Sequence, residues 1–312
     1  MLKFVAKRLL QLIPILFGIT VLCFVLMHTT TSDVVDVIYD QAGAVSDKVK
    51  ESKRKELGLD RSLPVQYGVW LKNVLSGDMG NSYISGESVT GQFLTRLPAT
   101  VWLMLVSIFL TLLISLPLGI LAAVKQNKVV DYIIRLCSFI GNSMPNFFIA
   151  LLLIYFFALK LGWFPAIGNS GKWTDVVLPA LTLTISMAAK YTRQVRAAVL
   201  DELGKGYVIG ARARGVRERT ILIRNVLRSV LITIVTLLGL SIGSLLGGTA
   251  IVESIFMWEG VGKMAVDAIT MRDYPIIQAY VVWMAVIYVF INLITDLLYQ
   301  CLDPRIRMER EG

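Results

Sequence analysis

The sequence predicts an all-α polytopic membrane protein with six transmembrane helices and one external insertion between helices 1 and 2. Three observations carry this reading. Long apolar runs recur along the chain. Charged residues are only 17% of the 312 residues, against 55% hydrophobic ones, and a soluble domain of this length needs more charge to cover its surface. The basic residues gather in alternate connections between the runs.

The runs cover residues 9–27, 100–124, 133–161, 176–189, 226–252 and 276–302. A spanning helix needs about 20 apolar residues, and all but 176–189 reach that length. The short run continues through Lys190 and Tyr191, where a lysine ammonium snorkels to the interface. Backbone amides in hydrocarbon must be paired within the segment, so the spans are expected as helices. The alternating pattern of a barrel, about 10 residues per pass, is absent.

The net charge of +9 raises the possibility of a nucleic-acid partner, and its placement argues against one. Lys3, Lys7 and Arg8 precede the first run. Lys125 and Lys128 lie between the second and third. Arg193, Arg196, Lys205, Arg212, Arg214, Arg217, Arg219 and Arg224 lie between the fourth and fifth. Arg305, Arg307 and Arg310 follow the sixth. Six passes put these regions on one side, and short basic connections mark the cytoplasm. Both termini are therefore expected there. The first run has a competing reading as a signal peptide, since Lys7 and Arg8 precede it. It is longer than a signal core of about 7–15 residues, and polar Thr29, Thr30, Thr31 and Ser32 follow it, so a retained helix is expected.

The insertion, residues 29–98, has mixed charge. Residues 47–57 read as a polar surface helix and 59–64 as a turn. Residues 64–75 place Val65, Val69 and Trp70 at helical spacing, and 77–82 read as another turn. Cys23, Cys137 and Cys301 lie in or at the ends of apolar runs, so packing is expected, not a disulfide framework.

Two features stand out within the spans. Gly239, Gly243 and Gly247 recur at four-residue spacing, with Ser244 and Gly248 alongside, and form one small-residue face on a helix. Small faces let helix backbones approach in lipid, where little hydrophobic drive acts between helices. Packing within the chain and lining of a path or second subunit both fit. In the third run, Pro145 removes a backbone donor after Gly141, Asn142, Ser143 and Met144. A kink there serves either packing or pathway opening. Asn142 and Pro145 are thus candidates beside the glycines.

The segment over residues 206–219, GYVIGARARGVRER, holds the densest charge. It resembles the coupling loop by which membrane subunits of ABC importers contact their ATPases, and its ARARG core is close to the form in the peptide/nickel permease family. Against the wider superfamily pattern Gly215 fits the glycine, Ala211 an alanine and Leu227 the leucine. Ile209 stands for the glutamate and Arg228 for the proline. The resemblance continues in the insertion (LGLD at 57–60, Pro64, Gln66 and Tyr67, Trp70 and Leu71, GDMG at 77–80). It continues in ESIFMWEGVG at 253–262, in Ala268 and Ile269, in RDYPIIQ at 272–278, and in Asp296 with DPRIR at 303–307. Glu253 to Gln278 is expected as a turn at the outer face.

The resemblance implies a type I ABC importer permease fold filling one transmembrane permease domain, residues 1–312, with the coupling loop at 201–224. It implies a second homologous permease, two cytoplasmic ATP-binding subunits, an extracytoplasmic substrate-binding protein and a place in the bacterial inner membrane. Gly210, Ala211, Arg212, Ala213, Arg214 and Gly215 are the expected ATPase-coupling residues. Asn142, Pro145, Gly239, Gly243, Gly247 and Glu253 are expected in the path or in helix packing. No enzyme, cofactor or metal is expected in this chain. His28 is the one histidine and reads as an interface residue, no Cys/His cluster has ligand spacing, and the phosphate-binding Gly-x-x-x-x-Gly-Lys-Ser/Thr loop is missing. Nickel or short peptides are the implied cargo, with a slight lean to nickel from the short loop 162–175 and residues 143–147. The alternatives are a secondary transporter or channel subunit, which usually shows deep ionisable residues and inverted repeats, and a non-transporting scaffold. Asp296 is the main deep charge.

Overall fold

The structure is a computed structural model that describes residues 2–28, 35, 39, 46–56, 58–168 and 171–302. Every named element among them is helical, and a lone bridge joins Asn81 to Ser88. The helices are α1 (Leu2–His28), α2 (Asp47–Glu56), α3 (Leu63–Leu75), α4 (Val89–Val124), α5 (Val129–Ser143) and α6 (Asn146–Leu153). They continue with α7 (Val177–Leu203), α8 (Gly206–Ala213), α9 (Leu227–Ile255), α10 (Val261–Met271) and α11 (Tyr274–Leu302). Contacts divide the chain into two compact units, Met1–Thr100 with Glu259–Phe290, and Val101–Trp258 with Ile291–Gly312.

Three helical stretches among the described residues are long and apolar enough to cross a bilayer: Val89–Val124, Glu218–Gly243 and Tyr274–Thr295. The first expected span lies in α1, whose segment Ile13–Val25 is a shorter apolar helix. The fourth lies in α7, where Arg193 and Arg196 follow the apolar half.

The third expected span departs from the kinked helix read from the sequence. It breaks into α5 and a second piece, Asn146–Lys160, bent by 103°. The break falls at Pro145. The residue before a proline is pushed out of the α region, and Met144 is extended at φ −87°, ψ 131°. Pro145 then caps α6, where its missing N–H leaves nothing unpaired. The last turns, Ile154–Lys160, are a π-helix, which the apolar pattern did not reveal.

In the first unit the insertion folds as expected at the level of elements. α2 is polar apart from the exposed Val49, with Asp47 in its first turn and Lys53, Arg54 and Lys55 in its last, the arrangement that complements a helix dipole. α3 opens with a proline in its first turn. Its Tyr67 hydroxyl lies 2.9 Å from Thr20 Oγ1 and its ring meets Phe24 edge-on at 5.4 Å, which fastens α1 to α3. A core of Met79, Val89, Phe93, Val261, Met264 and Ile276 joins α4, α10 and α11, with Phe93 stacked on Trp283 at 5.4 Å. Residues 253–278 are not one turn. They hold the whole of α10 between a turn at 256–260 and a left-handed Arg272 at φ 55°. The buried carboxylate of Asp273 accepts hydrogen bonds from Ser82 Oγ at 2.5 Å and from the Tyr83 backbone N–H at 3.1 Å. The turn that follows the GDMG stretch therefore meets the RDYPIIQ stretch, remote in sequence. Burial, with the nearby Asp273 charge, pushes the Tyr83 hydroxyl up to about 12.

In the second unit α7 is the central helix. A Cβ on Gly119 of α4 would lie 2.7 Å from Val195 Cβ, and one on Gly141 of α5 would lie 3.1 Å from Ala189 Cβ. Gly119 is required by close helix approach, and Gly141 sits at a tight contact. Asp131 of α5 is fully buried and takes a two-pronged bond from Arg196, 2.7 Å to Nε and 2.8 Å to Nη2. Its Oδ2 also accepts the backbone N–H of Asn127 at 3.0 Å. Sequence reading counted Arg196 among loop charges and passed over Asp131. A lone acid at the start of an apolar run, with arginines in a later segment, was the available signal.

Candidate functional site

The resemblance-bearing loop is a helix with a defined stop. α7 ends at Gly204, Lys205 is extended, and α8 begins at Gly206. Glu202, nearly buried, holds Lys205 Nζ at 2.5 Å and the Tyr207 hydroxyl at 2.6 Å. Burial works to raise the Glu202 pKa, but the hydrogen bonds from Lys205 and Tyr207 with the Lys205 charge outweigh it, and the carboxyl sits below its ordinary value. Burial and the Glu202 carboxylate together raise the Tyr207 hydroxyl.

Gly215 ends α8. Its N–H bonds the Arg212 carbonyl at 2.9 Å, and the Val216 N–H reaches back to the Ala211 carbonyl at 3.1 Å. This paired pattern needs a left-handed residue just past the helix, and Gly215 has φ +75°. Arg212 then grips Glu218 at 2.6 and 3.2 Å, closing the loop onto the next segment. A short turn, Glu218–Thr220, and a π-helix, Ile221–Val226, lead into α9.

Ala211 and Gly215 do not share an outward helix face. Ala211 is buried with Val208, Ile221, Val226, Val195 and Val199 in the unit's own core. Gly215 lies beyond the helix end, with open space where a Cβ would go. The outward surface is made instead by Tyr207, Ile209 and Val216, exposed apolar side chains, with exposed Arg212, Ala213, Arg214 and Arg217 around them; Gly210 is half-buried. Apolar side chains presented among arginines make a surface that can bury area against another protein and orient it by charge. The signal for Tyr207 and Ile209 was their apolar character in a charged loop, which the sequence reading left aside.

The remaining candidates separate. Asn142 and Pro145 are exposed at the α5–α6 break. Glu253 is fully buried at the end of α9. The glycine stripe is not uniform. Gly239 is buried, and a Cβ there would run into the Thr295 side chain of α11. Gly243 is half-buried, and Gly247 is exposed with nothing near its Cβ position. His28, Ser244, Asp296 and Cys301 have side chains outside the described residues, as do residues 303–307 altogether. Among the described residues no group of three or more His, Cys, Asp or Glu side chains is placed to hold a metal ion.

Residues 115–308 match the family described as binding-protein-dependent transport system inner membrane component, and residues 1–104 match the N-terminal family of the same membrane components. The chain belongs to this family. It is thus an inner-membrane permease of the ABC importer class. The glutathione transport system permease protein GsiC of Escherichia coli O6:H1 is 39% identical over 308 residues, covering 98% of this chain and 99% of that one. The oligopeptide transport system permease protein AppB of Bacillus subtilis is 40% identical over 316 residues, with 98% and 99% covered. An inward-facing structure of the MetNI methionine ABC transporter aligns at TM-score 0.55 and 19% identity, over 69% of this chain and 97% of that chain. That likeness establishes the permease fold. The slight lean to nickel finds no support in these relatives.

Proposed function

We propose that this chain is one membrane-spanning half of an ATP-driven importer of short peptides, acting as a single permease domain over residues 1–312 with both termini in the cytoplasm. ATP is hydrolysed by two separate cytoplasmic subunits, a second permease completes the path, and an extracytoplasmic protein delivers the peptide. Peptides are favoured because the two relatives named above are permeases of glutathione and oligopeptide systems. The single observation that supports coupling most directly is the α8 surface, where Gly215 stops the helix and Tyr207, Ile209 and Val216 stay exposed among arginines.

Coupling then works through rigidity. α8 is clamped at its start by the Glu202–Lys205–Tyr207 bonds and at its end by Arg212–Glu218, while Val208 and Ala211 anchor it to α7 and α9. Movement of an ATPase cleft gripping residues 210–215 is passed to the helices with little slack. Asn142, Pro145, Gly243 and Gly247 are the candidates for lining the path or meeting the second permease, since each keeps exposed or half-exposed surface in this chain.

The test is uptake into proteoliposomes holding the complete system with its binding protein. Glutathione, a tetrapeptide and Ni²⁺ are offered with and without ATP. ATP-dependent entry of a peptide is expected. Entry of Ni²⁺ alone would overturn the cargo assignment, and uptake driven by an ion gradient without ATP would favour a secondary transporter.

A further inference from the structure

A pocket of about 450 Å³ lies between α5 and α7 in the second unit, lined by Tyr132, Arg135, Leu136, Phe139, Arg193 and Arg196. Arg135 and Arg196 face the Asp131 carboxylate, and Arg193 completes the lining without an acidic partner among the described residues. Asp131 is engaged with Arg196 through both of its oxygens. Arg135 Nε stands 3.6 Å from Asp131 Oδ1, beyond hydrogen-bond reach, and is buried with no hydrogen-bond partner. The Arg135 guanidinium lies over the Tyr132 ring at 4.6 Å. Arg193 is exposed and has no hydrogen bond or ion pair among the described residues. The pocket thus keeps an excess of positive charge and unused donors.

The other half of the lining is apolar. Tyr132, Leu136 and Phe139 are 55%, 60% and 62% exposed and fall on one face of α5. α5 and α7 run antiparallel, since Asp131 meets Arg196 while further along Gly141 approaches Ala189. The arginines therefore sit at one end of an apolar stripe that continues along α5 toward the break at Met144. A free anion uses only the arginine end, whereas a lipid uses both.

We propose that this pocket binds an anionic phospholipid, its phosphate taken by Arg135 and Arg193 and an acyl chain laid along Leu136 and Phe139. Basic pockets between membrane helices favour anionic headgroups in this way. The Asp131–Arg196 pair holds the two helices at the spacing the headgroup needs. The site stands in whichever leaflet α5 begins, so it does not depend on the cargo or on the ATPase partners.

The experiment uses the full chain, purified in mild detergent with the subunits that accompany it and exchanged into phosphatidylcholine nanodiscs containing a minor fraction of phosphatidylglycerol. Lipid retained by the protein is counted by native mass spectrometry. The wild type is expected to retain phosphatidylglycerol in preference to phosphatidylcholine. Arg193→Gln and Arg135→Gln should each lower that preference about fivefold, Arg193→Lys should keep most of it, and Leu136→Ser should weaken retention of both lipids. Excess inorganic phosphate should not displace the lipid. Unchanged preference in Arg193→Gln, a variant that breaks no bond in the fold, would overturn the proposal. So would displacement by phosphate, or retention that ignores the headgroup in the wild type. Thermal unfolding of each variant separates lost binding from lost folding.

Discussion

At the scale of single residues, two groups carry consequences that their neighbours do not. Asp131 is buried and matched by Arg196 with both carboxylate oxygens used. Removing Asp131 leaves the partly exposed Arg196 without its partner, at a cost below the ~3–5 kcal/mol of a charge left fully buried. Asp131→Ala should therefore lower the melting temperature of the purified chain, and Asp131→Leu with Arg196→Met should regain much of the loss. A melting temperature for Asp131→Ala equal to that of the wild type would show that the pair is not structural. Gly215 matters through its backbone. Space is open around it, so side-chain bulk meets nothing in this chain, but φ +75° strains any residue with a Cβ. Asparagine tolerates this region, and alanine costs about 1 kcal/mol. Gly215→Asn should insert and fold like the wild type, while Gly215→Trp should lose uptake beyond its loss of folded protein. Normal uptake per inserted Gly215→Trp chain would remove the docking role from this end of the loop.

At the scale of elements, the glycine stripe of α9 divides into a packed end and an open end. Gly239 lies against Thr295 of α11, and overpacking such a contact costs about 1–3 kcal/mol. Gly247 meets nothing in this chain. Gly239→Leu is expected to lower the amount of folded, inserted protein. Gly247→Leu should leave that amount unchanged and reduce uptake if this end meets a second permease or the path. Leu231→Ala, at an exposed position, serves as the mild control. Uptake that tracks protein level in all three variants would make the stripe structural only. The α5–α6 break belongs to the same scale. The presence of Pro145 was legible as an interruption, but whether it bends one helix or separates two depends on the neighbouring helix against which α5 packs through Gly141.

At the scale of the whole molecule, the chain has the permease fold and family but contains no phosphate-binding loop in its sequence. Reconstituted by itself it should show no ATP-driven uptake of glutathione or oligopeptide, and adding ATPases without the second permease should not restore it. Substrate accumulation by the isolated chain would point to a channel or secondary transporter. The relatives' near full-length coverage supports testing the complete chain and not a fragment.

Apolar runs and basic connections were enough to specify a helical membrane protein, because solvation by lipid acts on local composition, and the resemblance to a permease family rests on contiguous motifs such as the arginine-rich loop. The polar α2, the proline-led α3 and the glycine turns of the insertion were legible for the same reason, since each rests on neighbours a few residues away. The sequence alone did not reveal that Ala211 is buried while Tyr207 and Ile209 face outward, since a helix's buried side is set by what packs on it. Nor did it reveal the Asp131–Arg196 pair, the Ser82–Asp273 bond or the arginine pocket on α5. Those join residues far apart in the chain, and only the folded backbone decides which distant charges and hydroxyls come within hydrogen-bond reach.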